Sequence, residues 1–252
     1  MEMQLKNLLQ LLLLLCSMAS CTQQVWHTAD AKYERYDVGD QAGTDEAMAE
    51  LIEPYKSQLD SKMDIVIGEL EVELVKERVE SNIGNWFADI MLEETQRLSN
   101  QPVHFAVQNY GGVRSNSIAA GPITIRTIYE VMPFENKMVA VDLTGDEVMK
   151  LLDRIADYGG WPVSKGVKFE IKDGKAINVT LNGEAIDEEQ IYRVGLNDYL
   201  AYGGDGTSVF AGKEIYDYDL LVRDALIQHV KRDTEQGIKQ IAKKEGRIVK
   251  IN

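Results

Sequence analysis

From Thr44 onward, apolar residues recur at helical spacing, and Met48, Leu51, Ile52, Tyr55 and Leu59 fall on one face. Pro54 lies inside that pattern and predicts a kink or a break, because it removes a backbone donor and crowds the preceding turn. Over residues 65–75 alternation takes over, with Leu70, Val72 and Leu74 on one side of an extended segment. Asn82 is then expected to cap a helix running to about residue 98 and burying Ile83, Trp86, Phe87 and Ile90. The turn Ser99-Asn100-Gln101-Pro102 leads to a half-buried strand carrying Val103, Phe105 and Val107. Thr124 is expected to cap a short helix that ends before Pro133, and residues 137–143 read as a strand.

Thr144-Gly145-Asp146-Glu147 has the form of a capping box. It opens a helix with Val148, Leu151, Leu152 and Ile155 inward and Gly159 just beyond its end. Residues 167–171 and 176–181 flank Asp173-Gly174 and predict a hairpin. Residues 192–196 read as a strand, 219–230 as a helix and 247–251 as a closing strand. Helices and short strands alternate irregularly, without a βαβ rhythm, so the fold class is α+β, with sheets covered by helices.

Ahead of these elements, residues 1–21 read as an export leader. Lys6 precedes an apolar run from Leu8 to Leu15, and small residues precede Cys21. The run is too short for a membrane span. Met18-Ala19-Ser20-Cys21 has the form of a bacterial lipoprotein cleavage site, with Cys21 as the lipidated first residue; an ordinary leader cleaved nearby is the alternative. The expected location is extracytoplasmic, lipid-anchored to a bacterial cell membrane on its periplasmic or cell-surface side. Both cysteines fall in this segment, so a mature domain starting at Cys21 has no internal disulfide. Residues 22–43 are polar, without sustained period, and read as a tether to one domain over residues 44–252. The formal charge of −14 repels a phosphate polymer and argues against DNA or RNA as partner, though not against one small nucleotide at a local arginine.

Two glycine turns gather the residues with chemistry to offer. Asn109-Tyr110-Gly111-Gly112-Val113-Arg114 follows the predicted strand, and its glycines permit close backbone approach and positive φ. Pro133-Phe134-Glu135-Asn136 comes next, and Tyr199-Leu200-Ala201-Tyr202-Gly203-Gly204-Asp205-Gly206 carries the second turn. The fork of Arg114 suits phosphate oxygens or ribose hydroxyls, or a surface ion pair. Phe134 and Tyr199 suit core packing or base stacking. Asp205 alone reads as a simple Asp-Gly turn.

Taken in order, N-x-G-G-x-R, P-F-x-N and Y-L-x-x-G-G-D-G resemble the C-terminal domain of the 5′-nucleotidase family, from roughly residue 40 onward. The resemblance implies a layered α/β/β/α domain. It implies that Phe134 and Tyr199 clamp a nucleobase, Asn136 contacts the base edge, Asp205 takes the ribose hydroxyls, and Asn109 and Arg114 complete the site. Tyr199 replaces the phenylalanine of the best-known members, and its ring rather than its hydroxyl is expected to matter. A further family arginine falls at Glu77 here; Arg78, one residue later, is the candidate substitute. Full-length members hydrolyse through an N-terminal metallophosphatase domain with D-x-H, G-N-H-[DE] and G-H-x-H motifs. None of these occurs in this chain, whose histidines (His27, His104, His229) are scattered, the last two reading as packing residues. The expectation is the nucleotide- or nucleoside-binding half of a split 5′-nucleotidase, a phosphoric monoester hydrolase that is not catalytic alone. It would hold no cofactor itself and act in nucleotide hydrolysis and salvage with a separate metallophosphatase subunit carrying divalent metals. The alternative is a non-catalytic nucleotide- or nucleoside-binding lipoprotein.

Overall fold

A computed structural model of the protein describes residues 33–35, 39 and 43–251; the expected leader, Cys21, His27 and most of the tether lie outside the described residues. The chain divides into residues 1–50 and residues 51–252. In chain order the elements are α1 (Glu46–Met63), β1 (Val66–Leu70), β2 (Leu74–Val75), α2 (Asn82–Leu98) and β3 (Phe105–Ala106). There follow β4 (Ser117–Ile118), β5 (Gly121–Thr124), α3 (Ile125–Val131), β6 (Lys137–Thr144) and α4 (Gly145–Tyr158). The last are β7 (Val167–Lys172), β8 (Lys175–Leu181), β9 (Glu184–Ala185), β10 (Ile191–Asn197), α5 (Asp198–Ala201), β11 (Ile215–Leu221), α6 (Val222–Glu235) and β12 (Ile248–Lys250). The class is α+β.

One four-stranded sheet, in the order β11-β6-β10-β3, divides two hydrophobic cores. Val139, Val141 and Leu143 of β6 and Val194 and Leu196 of β10 belong to the first core, with the inner face of α4. A second four-stranded sheet, β12-β7-β8-β9, closes that core through Phe169, Ile171 and Leu181. Met138 and Ala106 belong to the other core, which α2, α3 and α6 cover together with Ile67 and Leu70 of β1. Burial on both faces explains why β10 is buried without interruption from Tyr192 to Asn197 instead of alternating.

The local signals that were strongest in the sequence hold. Thr144 Oγ1 accepts from the Glu147 amide while Glu147 accepts from the Thr144 amide at 2.9 Å, and Gly159 ends α4 at φ 92°. Thr124 caps α3, and Asp173 and Gly174, at φ 49° and 75°, turn the β7–β8 hairpin.

Five expectations are corrected. Pro54 does not break its helix: α1 continues through it, its apolar stripe exposed throughout. The cap of α2 is Ser81, which accepts from the Gly84 amide at 3.1 Å. Asn82 instead reaches back to an earlier segment, accepting from the Val75 amide and donating to the Glu73 carbonyl. The strand at Phe105 has only two residues and is buried on both faces, because it forms an edge of the central sheet between the two cores. Residues 215–221 form a strand, and the helix starts at Val222; Asp219, at φ 52°, sits where the β11–β6 register shifts. His104 and His229 do more than pack. His104 Nδ1 accepts from the Arg193 amide, and His229 bridges Glu94 (3.0 Å) and Asp233 (3.2 Å).

Candidate functional site

β3 and β10 pair in parallel, so the loops that follow them emerge side by side. Buried Asn197, the last residue of β10, ties the two together. Its Oδ1 accepts from the Leu200 amide and caps α5, and its Nδ2 donates to Gln108 Oε1 (2.6 Å) and Asn109 Oδ1 (3.2 Å). Asn109 in turn donates through Nδ2 to Asp205 Oδ2 at 2.8 Å. Residues far apart in sequence thereby meet at one carboxylate.

Asp205 is held from several sides. The Tyr199 hydroxyl donates to its Oδ1 at 2.9 Å and accepts from its amide at 3.2 Å, while Arg154 Nε donates to its carbonyl at 2.8 Å. The carboxylate bonded to the Tyr199 phenol pushes that hydroxyl above its usual pKa, and burial adds to the shift. Gly204 is required here by space: a Cβ would stand 2.4 Å from the Tyr199 ring. In the first loop Gly112 serves the same end, since a Cβ there would lie 2.1 Å from Gln108 Nε2. Neither Gly111 nor Gly112 has a positive φ; close approach is the reason for Gly112, whereas a Cβ at Gly111 would meet only Asn109 Nδ2, at 3.7 Å.

Around Asp205 opens a cleft of about 610 Å³. Asn109, Gly111 and Gly112 line it from one loop, Phe134, Glu135 and Asn136 from the segment after α3, and Tyr199 and Asp205 from α5 and the turn that follows it. The structure thus brings Asn109, Phe134, Asn136, Tyr199 and Asp205 to one cleft, with both aromatic rings partly exposed. Arg114 stands at the edge, exposed, its guanidinium 5.7 Å from the Phe134 ring centroid.

Arg78 lies further along the same side, 4.1 Å from the Tyr110 ring centroid and 5.4 Å from that of Tyr158. Glu77 turns elsewhere and pairs with Lys244 at 2.6 Å. The next residue, Val79, is strained at φ 70°, a conformation β-branched residues rarely adopt. Lys76, which sequence reasoning missed, donates to the Val113 carbonyl and also lies 4.1 Å from the Tyr110 ring. Burial lowers its pKa, and the charges of Arg114 and Arg78 lower it further. Three cations therefore share one small region in a strongly acidic protein, an arrangement that an anion would relieve.

Tyr158 and Glu135 also line the cleft unannounced. Tyr158 ends α4 directly before Gly159-Gly160, a third glycine turn that could have flagged it; Lys76 offered no such signal. His104 and His229 do not line the cleft. Among the described residues no group of three or more His, Cys, Asp and Glu could hold a metal ion, and no helix is long and apolar enough to cross a membrane.

Residues 66–212 match the sequence profile of the family described as 5′-nucleotidase, C-terminal domain. Protein UshA of Escherichia coli is 31% identical over 186 residues, covering 70% of this chain and 32% of its own length. The 5′-nucleotidase of Vibrio parahaemolyticus is likewise 31% identical, with 70% and 32% covered. Among solved structures, the 5′-nucleotidase precursor from Thermus thermophilus superposes with a TM-score of 0.71 at 31% identity, covering 82% of this chain and 43% of that one. The chain spans about a third of the length of these curated relatives.

Proposed function

The chain belongs to the 5′-nucleotidase family through its C-terminal domain, and from that premise we propose that it is the nucleotide-binding half of a split 5′-nucleotidase. The observation that carries this reading is the presence of two aromatic rings, Phe134 and Tyr199, on one cleft with Asp205. A nucleobase stacks between such rings whatever its identity, because every base has a π-face. The Asp205 carboxylate accepts from vicinal ribose hydroxyls. The 5′-phosphate then points toward Arg114, Arg78 and Lys76, whose mutual repulsion it offsets.

Hydrolysis is assigned to a separate metallophosphatase subunit with divalent metals, which attacks the phosphate that this chain presents. Holding the substrate across two docked chains supplies the proximity that a covalent linker would otherwise provide. The leader and Cys21 support a lipid-anchored, extracytoplasmic working place, where scavenged nucleotides arrive.

Calorimetric titration of the chain with adenosine, AMP and inorganic phosphate tests the binding. Adenosine and AMP are expected to bind, and failure of both removes the reading. With divalent metal added, the purified chain is expected not to hydrolyse AMP, and activity returns on adding the cognate metallophosphatase. Binding with no copurifying metallophosphatase would favour the second reading, a non-catalytic nucleotide-binding lipoprotein.

A further inference from the structure

Asn136 presents its amide to the cleft in one fixed orientation. Nδ2 donates to Asp198 Oδ1 at 2.8 Å, and the backbone carbonyl of Asn136 accepts from the Val222 amide at 2.8 Å. A carboxylate accepts and does not donate, so the contact with Asp198 decides which end of the amide is nitrogen. Oδ1 is left to face a ligand as an acceptor. The neighbouring Glu135, exposed on the same cleft, adds a carboxylate that also only accepts.

We propose that this polar edge selects nucleobases bearing an exocyclic amino group over their keto counterparts, and that Asp198 is the positioning residue that sets the preference through Asn136. The inference rests on the nucleoside reading above and names its substrate class. An exocyclic amine carries two N–H groups on one nitrogen and can satisfy two acceptors at once. Uracil offers a ring N–H flanked by two carbonyl oxygens, and hypoxanthine a ring N–H with a carbonyl oxygen on one side and C2–H on the other. Setting that N–H between two converging acceptors brings a neighbouring carbonyl against Asn136 Oδ1 or Glu135, acceptor facing acceptor, beside stacked rings that limit water. Adenosine is therefore preferred to inosine and cytidine to uridine. Stacking, common to all four, sets the baseline.

The test is titration of the full chain with adenosine, inosine, cytidine and uridine, in the wild type and in Asp198→Asn. The wild type is expected to favour each amino base by roughly ten-fold or more. Asp198→Asn, nearly isosteric, can either accept from or donate to residue 136, so the amide is free to present either end. The adenosine-to-inosine ratio then falls toward unity while the stacking affinity persists, whereas a merely structural loss would weaken all four ligands together. Should Asp198→Asn fail to fold, Glu135→Gln on the exposed rim carries the test, and it too is expected to lower the ratio. Equal binding of amino and keto nucleosides by the wild type overturns this inference and leaves the nucleoside site standing. A ratio unchanged in Asp198→Asn overturns the role of Asp198, and absence of binding by all four nucleosides overturns both readings.

Discussion

The aromatic clamp can be tested without destroying the fold, because Phe134 and Tyr199 are 39% and 44% exposed and leave no large cavity when truncated. Phe134→Ala and Tyr199→Ala are each expected to weaken adenosine binding by about 1–3 kcal/mol, a loss of roughly ten- to a hundred-fold by calorimetry. If both variants bind as the wild type does, the clamp is wrong. From the sequence, with the ring alone in view, Tyr199→Phe is expected to be neutral. The hydroxyl, however, holds Asp205 by two hydrogen bonds. Its removal is now expected to weaken adenosine by about 0.5–1.5 kcal/mol and to leave free adenine unchanged. Equal effects on both ligands would show that the hydroxyl acts on the base. At this scale the legible residues were those in contiguous motifs. Lys76 and Asp198 were not legible, since their places depend on how distant loops pack, and Tyr158 was marked only by the glycine turn after it.

Between α2 and α6, Glu94 is fully buried and receives Arg97, His229 and Arg232. Burial alone would raise its pKa; hydrogen bonds from His229, Arg232 and Arg97 outweigh it and lower the pKa from 4.5 to about 2. The folded value is the lower one, so the resulting stabilisation is present above about pH 4.5 and is lost as pH falls toward 2. At about 1.4 kcal/mol per unit this amounts to about 3 kcal/mol. Denaturant midpoints measured from pH 6 downward are expected to drop for the wild type. Those of Glu94→Gln, already lower near neutrality, should converge with the wild type in acid. Parallel curves would show that Glu94 does not carry the acid sensitivity. Such a buried tie between helices leaves no mark in the hydrophobic periodicity, which registers apolar positions alone. Capping boxes and the Asp173-Gly174 turn were legible because their signals lie within four residues.

Over the whole molecule, the class and the helix-covered sheets could be read from the sequence, but the strand order could not. β10 joins β3 on one side and β6 on the other, partners distant in the chain, and β11 hides an irregular register behind a Tyr-Asp alternation. The proposed anchor belongs to this scale as well. Cys21→Ala is expected to release the exported protein from the membrane fraction or to leave its leader uncleaved; a processed wild type that washes off without detergent would rule the anchor out. The central sheet has a further consequence. Around Val194 and Gly195, β10 has a strand on each edge and a hydrophobic core on each face, so no partial opening uncovers that stretch. Its amide hydrogens exchange with deuterium only when residues 51–252 come apart together, and the slowest of them read out the global stability of that unit.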